Sequence, residues 1–266
     1  MLGTIANFCL RPFGVRLVPN VNPELAAQQA KERVFDRHAY PDMEIFKADI
    51  IEKVFPYTMT SPERLYGLIN ATMYIVKHGI QGDVVECGVW RGGSMMAVAE
   101  TLMALGDTSR HLYMYDTYEG MSSPTEHDRD FGDNPATDLL QQTAVGTSYD
   151  NIWCYASLED VKANLLATGY PPSRLQFIKG KVEDTLPVHH YLHPRVALLR
   201  LDTDWYASTR VEAELLYPQL VPGGFMIVDD YGHWQGARQA IDEYFASLPA
   251  VPFLHRLDYT GRLMQK

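Results

Sequence analysis

DVVECGVWRGGS, residues 83–94, decides the fold. Asp83 to Cys87 is a short β-rich run, GVWRGGS is a glycine turn, and a helical pattern runs from Ser94 to Leu105. The next apolar run, His111 to Tyr115, reads as a second strand, and Asp116 ends it 23 residues after Gly93. Strand, turn, helix and strand with a terminal acid make one nucleotide-binding half of a doubly wound sheet.

Outward from this unit, β and α patterns alternate. On the C-terminal side come a strand at Leu175 to Ile178, a turn at Gly180 and a short helix, VEDTLP, ending at Pro187. A strand from Val196 to Leu201, a helix from Thr209 to Tyr217, a VPGG turn, a strand from Phe225 to Val228 and a helix from Gly236 to Ala246 follow. PFLHRL and GRLMQ then read as an antiparallel edge hairpin. On the N-terminal side, Ser61 as N-cap and Pro62 at the first helical position open a helix reaching Lys77, with Leu65, Leu68, Ile69, Thr72, Met73 and Val76 as its stripe. Ser157 caps a further helix to Ala167, and Pro23 to His38 is expected to form a peripheral helix within a helical arm over residues 1–56. Thr117 to Asn151 is a long connection rich in Gly, Ser, Thr, Asp and Pro, and is expected to be a lid over the site. The expectation is one α/β domain over residues 1–266, a three-layer sandwich whose sheet is mostly parallel with an antiparallel edge.

Composition narrows the partners. A formal charge of -10, from 23 Lys plus Arg against 33 Asp plus Glu, repels phosphate backbones, so nucleic acid is not expected. Three cysteines, Cys9, Cys87 and Cys154, have no CxxC spacing and suggest neither disulfides nor a thiolate zinc site, so a reducing, cytoplasmic location is expected. Arg11, Arg16 and two prolines interrupt the first twenty residues, which read as an arm packing on its own domain or on a partner subunit of a homo-oligomer. Peripheral membrane contact is the other reading of that arm; a membrane span or signal peptide is not.

Two acid pairs sit where apolar strands stop: Asp202 and Asp204 in VALLRLDTDWYAST, and Asp229 and Asp230 in VPGGFMIVDDYGHW. Residues two apart on a strand share a face, so Asp202 and Asp204 can project together. Four carboxylates converging in a partly dry cleft require raised pKa values or a bound cation, and a metal is the simpler resolution. Helix capping at strand ends is the plainer reading of the same acids.

The glycine turn supplies the second ligand. Gly88, Gly92 and Gly93 lack the GxGxxG spacing, yet they let the backbone approach a ligand, and the helix opened by Ser94 offers its N-terminal amides. Glu86 beside that turn disfavours a pyrophosphate and favours a cationic or zwitterionic ligand. S-adenosylmethionine fits, with a sulfonium, an amino-acid group and a ribose diol for Asp116 to accept from. A purely structural turn remains the other reading.

YTMTSPERL, VVECGVWRGGS, YDTYEGM, SLEDVKANL, VEDTLP, LLRLDTDWYAST and LYPQLVPGGFMIVDDYGHWQGARQAIDEYF stand in this order between Tyr57 and Phe245. Together they resemble the class I (Rossmann-like) S-adenosylmethionine-dependent methyltransferases, and more narrowly the macrocin O-methyltransferase family of antibiotic-sugar enzymes. The resemblance implies a seven-stranded sheet, magnesium on Asp202, Asp229 and Asp230, and Asp204 as general base. It places Glu86 and Gly88 near the methionine part of the cofactor, Asp116 on the ribose, Ser157 or Lys181, Val182 and Glu183 near the adenine, and Thr58 and Met59 closing over it. His233 stands as a supporting group or alternative base. Thr203 and Trp205 depart from the family, which tends to carry Gly and a smaller aliphatic there; Trp205 could stack on a sugar or pack under the sheet. His189, His190 and His193 form HHxxH between two prolines and are not expected to bind metal.

The function these readings imply is a magnesium- and S-adenosylmethionine-dependent O-methyltransferase for a hydroxylated small molecule, a sugar of a natural product. A catechol-type acceptor, or a non-catalytic binding protein retaining the fold, are the rival readings.

Overall fold

Seven strands lie side by side in the order β3-β2-β1-β4-β5-β7-β6 in the computed structural model, which describes residues 34–146 and 150–266. They are β1 (Asp83–Cys87), β2 (Leu112–Asp116), β3 (Leu175–Lys179), β4 (Val196–Leu201), β5 (Leu220–Val228), β6 (His255–Arg256) and β7 (Arg262–Gln265). The first five pair in parallel, and β7 joins β5 antiparallel with β6 beyond it. This is the expected mostly parallel sheet with an antiparallel edge. The strand order reverses between β1 and β4, so a crevice opens there beyond the carboxyl ends of the strands.

The helices are α1 (Ile45–Val54), α2 (Pro62–Lys77), α3 (Gly93–Ala104), α4 (Ala136–Gln142), α5 (Leu158–Ala167), α6 (Val182–His189), α7 (Tyr206–Leu216) and α8 (Gln235–Ala246). Strand alternation assigns them to two layers. Val84, Leu198, Phe225 and Ile227 face a core shared with α1, α2, α3 and α5, whereas Val85, Cys87, Leu199, Met226 and Val228 face one shared with α6, α7 and α8. No described helix is long and apolar enough to cross a membrane.

Most expected boundaries hold within a few residues, and Ser61 and Ser157 cap their helices as read, accepting from the amides of Arg64 and Asp160. Three differ. Helix α7 begins at Tyr206 rather than Thr209, because Asp128 accepts its first amide at 2.7 Å from 78 residues away. Helix α6 carries Pro187 inside it and runs on to His189. Strand β5 begins at Leu220, ahead of the VPGG turn. The helix expected over Pro23 to His38 lies outside the described residues up to Arg33, and beyond that the chain shows only a short turn at Arg37–Ala39.

The long connection is more ordered than its composition suggests. Its helix α4 places Ala136 and Leu140 in a third apolar cluster with Trp205, Trp234 and Ala237. Trp205 is buried there, donating from Nε1 to the Ser122 carbonyl at 3.0 Å, so it packs under this segment and presents no face to a sugar. Buried Asp128 fastens the segment to α7 and also accepts from the Thr125 amide and hydroxyl.

Gly88 shows how closely the crevice is built. Its φ is +79°, and a Cβ there would stand 1.9 Å from the Asp202 carbonyl oxygen. Gly106 has a similar φ of +74° with nothing within 4 Å of its would-be Cβ. Gly106→Ala should therefore cost about 1 kcal/mol, the ordinary left-handed penalty, whereas Gly88→Ala should cost about 2–4 kcal/mol because backbone must also move. Urea unfolding midpoints check this; equal losses at the two positions would contradict the close β1–β4 approach.

Candidate active site

Four consecutive strand ends build the site. β1 ends at Cys87 and turns at Gly88, β2 ends at Asp116, β4 ends at Leu201 and hands on to Asp202, and β5 ends at Val228 and hands on to Asp229 and Asp230. Together with the Thr58–Thr60 loop, the Gly180–Glu183 turn and the connection after β2, they enclose a cavity of about 500 Å³. That is the size range of small-molecule and cofactor sites.

The glycine turn forms part of the cavity wall. Both oxygens of Asp116 are committed to it: one accepts from the amides of Val89 at 2.6 Å and Trp90 at 3.2 Å, the other from the amide of Tyr118 at 2.6 Å. Burial pushes this carboxyl up, against the pull of those three amides. Asp116 thus shapes the turn while standing in the cavity wall. Gly88, Ser94, Lys181, Val182, Glu183, Thr58 and Met59 line the same cavity.

Two expected cofactor residues stand elsewhere. Glu86 is buried at 1% exposure on the α2 side of β1, directly across from Arg200 in the strand register, and is not part of the cavity wall. The Ser157 hydroxyl is used as the cap of α5, and Ser157 does not line the cavity either.

The acids line the same cavity. Asp202, Asp204 and Asp230 can each bring a carboxylate oxygen within 4.8 Å of the other two. The strand stops at Leu201, so Asp204 reaches the group through a left-handed backbone, φ +68°, rather than through strand alternation. Thr203 does point away, donating to buried Glu212 at 2.8 Å. Burial, then the charge of neighbouring acids, raises Asp202 and Asp230 well above the carboxylate range, with Arg200 opposing for Asp202. Asp204 is pushed up to about 7, first by burial.

Asp229, expected as a metal ligand beside Asp202 and Asp230, lines the same cavity and touches Asp202, but its carboxylate is also engaged by two arginines. Its oxygens accept from Arg64 and, at 2.6 Å, from Arg200. Burial would raise its carboxyl, but the two guanidinium charges prevail and hold it below its usual value. The structure thus groups Asp204, not Asp229, with Asp202 and Asp230. His233 lines the cavity, its Nδ1 3.2 Å from the Tyr259 hydroxyl, and burial lowers its pKa.

Arg200 was missed by the sequence reading, although a lone charge inside VALLRL was a signal. It is 3% exposed and donates to Glu86 at 2.7 Å, Asp202 at 2.5 Å, Asp229 at 2.6 Å and the Thr60 hydroxyl at 2.7 Å. Arg64, Trp90 and Cys154 also line the cavity without having been singled out.

The donor sets fit the two groups that the fold implies. Hard carboxylate oxygens suit magnesium, and Asp230 Oδ2 is a buried oxygen with no hydrogen-bond partner, an acceptor left over for a cation. The glycine turn and the amides opening α3 suit the amino-acid end of S-adenosylmethionine.

A model of the macrocin-O-methyltransferase (TylF) family matches residues 23–266. The chain is 34% identical, over 77% of its length and 74% of the relative's, to the 8-demethyl-8-(2,3-dimethoxy-alpha-L-rhamnosyl)-tetracenomycin-C 4'-O-methyltransferase of Streptomyces olivaceus. It is 31% identical, over 71% of its length and 70% of the relative's, to the mycinamicin III 3''-O-methyltransferase of Micromonospora griseorubida. Among solved structures, the O-methyltransferase NovP is similar with a TM-score of 0.69 and 25% identity, covering 91% of this chain and 94% of that one. With a family match over most of its length and a cavity of this construction, the chain belongs to the macrocin-O-methyltransferase (TylF) family and is an S-adenosylmethionine-dependent O-methyltransferase.

Proposed function

We propose that the enzyme methylates a hydroxyl on the sugar of a natural product, with magnesium held by Asp202 and Asp230 and the hydroxyl proton taken by Asp204. One observation carries this reading: the glycine turn and the three clustered acids line one cavity. The tetracenomycin relative is named for an acceptor carrying a rhamnosyl group, which supports a sugar acceptor here. Held in the cavity, magnesium would supply a Lewis acid and S-adenosylmethionine an activated methyl group.

The chain's own residues do the positioning. Gly88 keeps the turn flush against the Asp202 backbone, so the donor end and the acid end stay at a fixed separation. Asp202 and Asp230 orient the acceptor diol. Asp204, within the same cluster, lies within reach of a hydroxyl held by those two and receives its proton as the methyl moves. Asp229 would serve as a third ligand only by releasing an arginine. His233, also in the cavity wall, is the next candidate for the proton.

Calorimetry should show S-adenosylhomocysteine binding to the wild type, and Asp230→Asn should abolish the heat of Mg²⁺ binding while leaving the S-adenosylhomocysteine complex intact. Absence of cofactor binding with and without Mg²⁺ would contradict this reading. Asp204→Asn should retain cofactor and Mg²⁺ binding while turnover on a panel of sugar diols falls by roughly 10²–10⁴-fold. Retained turnover would move the base role to His233, and lost Mg²⁺ affinity would make Asp204 a ligand.

A further inference from the structure

Glu212 is a buried acid that neither the sheet nor the proton transfer accounts for. It has no exposed surface and lies on α7, whose Ala213 and Leu216 belong to the apolar layer under the sheet. A carboxyl in such a layer is costly unless its oxygens are used. Oε1 accepts from the Thr203 hydroxyl at 2.8 Å, Oε2 has no hydrogen-bond partner among the described residues, and the buried Cys87 thiol stands beside the carboxyl. Burial drives Glu212 well above the usual carboxylate range, and the Thr203 hydroxyl pulls the other way.

Thr203 is itself the first corner of a very tight turn. Its carbonyl accepts from the Trp205 amide at 2.8 Å, which closes a ring over Asp204 alone, and Asp204 has a φ of +68°. A bond spanning one residue of positive φ marks the rarer, strained form of the γ-turn. A residue with a side chain stays in such a conformation only where its surroundings over-determine it. The last corner, Trp205, is held by its indole bond to Ser122 and by the Ser208 hydroxyl, which donates to the Trp205 carbonyl at 3.0 Å. Before the first corner, the Asp202 amide donates to the Cys87 carbonyl at 2.8 Å. The side chain of Thr203 is held by Glu212.

Resting on the reading of Asp204 as the base, we infer that Thr203 and Glu212 are a positioning pair. Their bond anchors the first corner of the turn to α7 and so keeps the Asp204 carboxylate in the group with Asp202 and Asp230. Glu212 does not line the cavity, so it acts on the reaction through the turn.

The test uses the full chain. Thr203→Ser keeps the donor, Thr203→Val removes it at nearly constant shape, and Thr203→Val/Glu212→Leu removes both partners. The single valine variant should lower the urea midpoint, and the double variant should recover it, because no carboxyl is then left unpaired. Turnover of methyl α-L-rhamnoside with saturating S-adenosylmethionine and Mg²⁺ should fall roughly 10- to 100-fold in both, the cost of a misplaced reacting group. KM for S-adenosylmethionine should stay unchanged, and Thr203→Ser should stay near wild-type kcat. Crystals of the double variant should show Asp204 at negative φ with its carboxylate outside the acid group. In an Asp204→Asn background, Thr203→Val should cost no further turnover.

Recovery of kcat together with the urea midpoint, an equal loss in the Asp204→Asn background, or Asp204 still at positive φ in the double variant would overturn the pair and leave the base reading standing. Full turnover by Asp204→Asn alone would remove the base reading and the pair's part in the reaction with it. If the wild type leaves the rhamnoside unmethylated, the φ of Asp204 in the variant crystals decides the pair, with Thr203→Val taking the place of a double variant that does not fold.

Discussion

The buried guanidinium of Arg200 is the constraint on which the site depends. It stands opposite Glu86 on β1, reaches Asp202 at the end of its own strand, and holds Asp229 at the end of β5 together with the Thr60 hydroxyl. One cation therefore ties three strand ends and the loop over the cavity into a single electrostatic unit. Removing one member of such a buried group leaves charges unpaired, at a cost on the order of 3–5 kcal/mol. The unit is also incomplete: Asp202, Asp204, Asp229 and Asp230 outnumber the two arginines, Arg200 and Arg64, that face them. The excess negative charge gathers at Asp202, Asp204 and Asp230, where a divalent cation would balance it.

From that unit the division of labour follows. The acid end is fixed by β4 and β5, the donor end by the turn after β1 and by Asp116 at the end of β2, and the contact of Gly88 with the Asp202 backbone joins the two. The parallel sheet brings these ends to one edge, and the connection after β2, pinned by Asp128 and Trp205, forms the remaining wall. That wall is ordered by its own apolar cluster, so the cavity has shape before any ligand enters.

Much of this was legible in the chain. Apolar runs that stop at acids or glycine placed β1, β2, β4 and β5, and with them the acid pairs and the glycine turn. What escaped were effects of partners distant in sequence. Glu86 reads as a ligand-facing acid until the β1–β4 register sets it against Arg200. The start of α7 is hidden because its first amide is accepted by Asp128, far away in sequence in the connection after β2. Helix α4 is short and polar, and its reason for existing is the pair of tryptophans, Trp205 and Trp234, that it covers. Asp204 joins Asp202, as strand alternation suggested, but through a left-handed backbone that alternation does not describe.

The most direct measurement of the central claim is anomalous diffraction from crystals of the S-adenosylhomocysteine complex soaked in Mn²⁺, a stand-in for magnesium with the same preference for oxygen ligands. The account predicts one strong peak coordinated by the carboxylates of Asp202 and Asp230, with Arg200 still bonded to Glu86. A peak elsewhere, or none at these acids with the cofactor site filled, would contradict it.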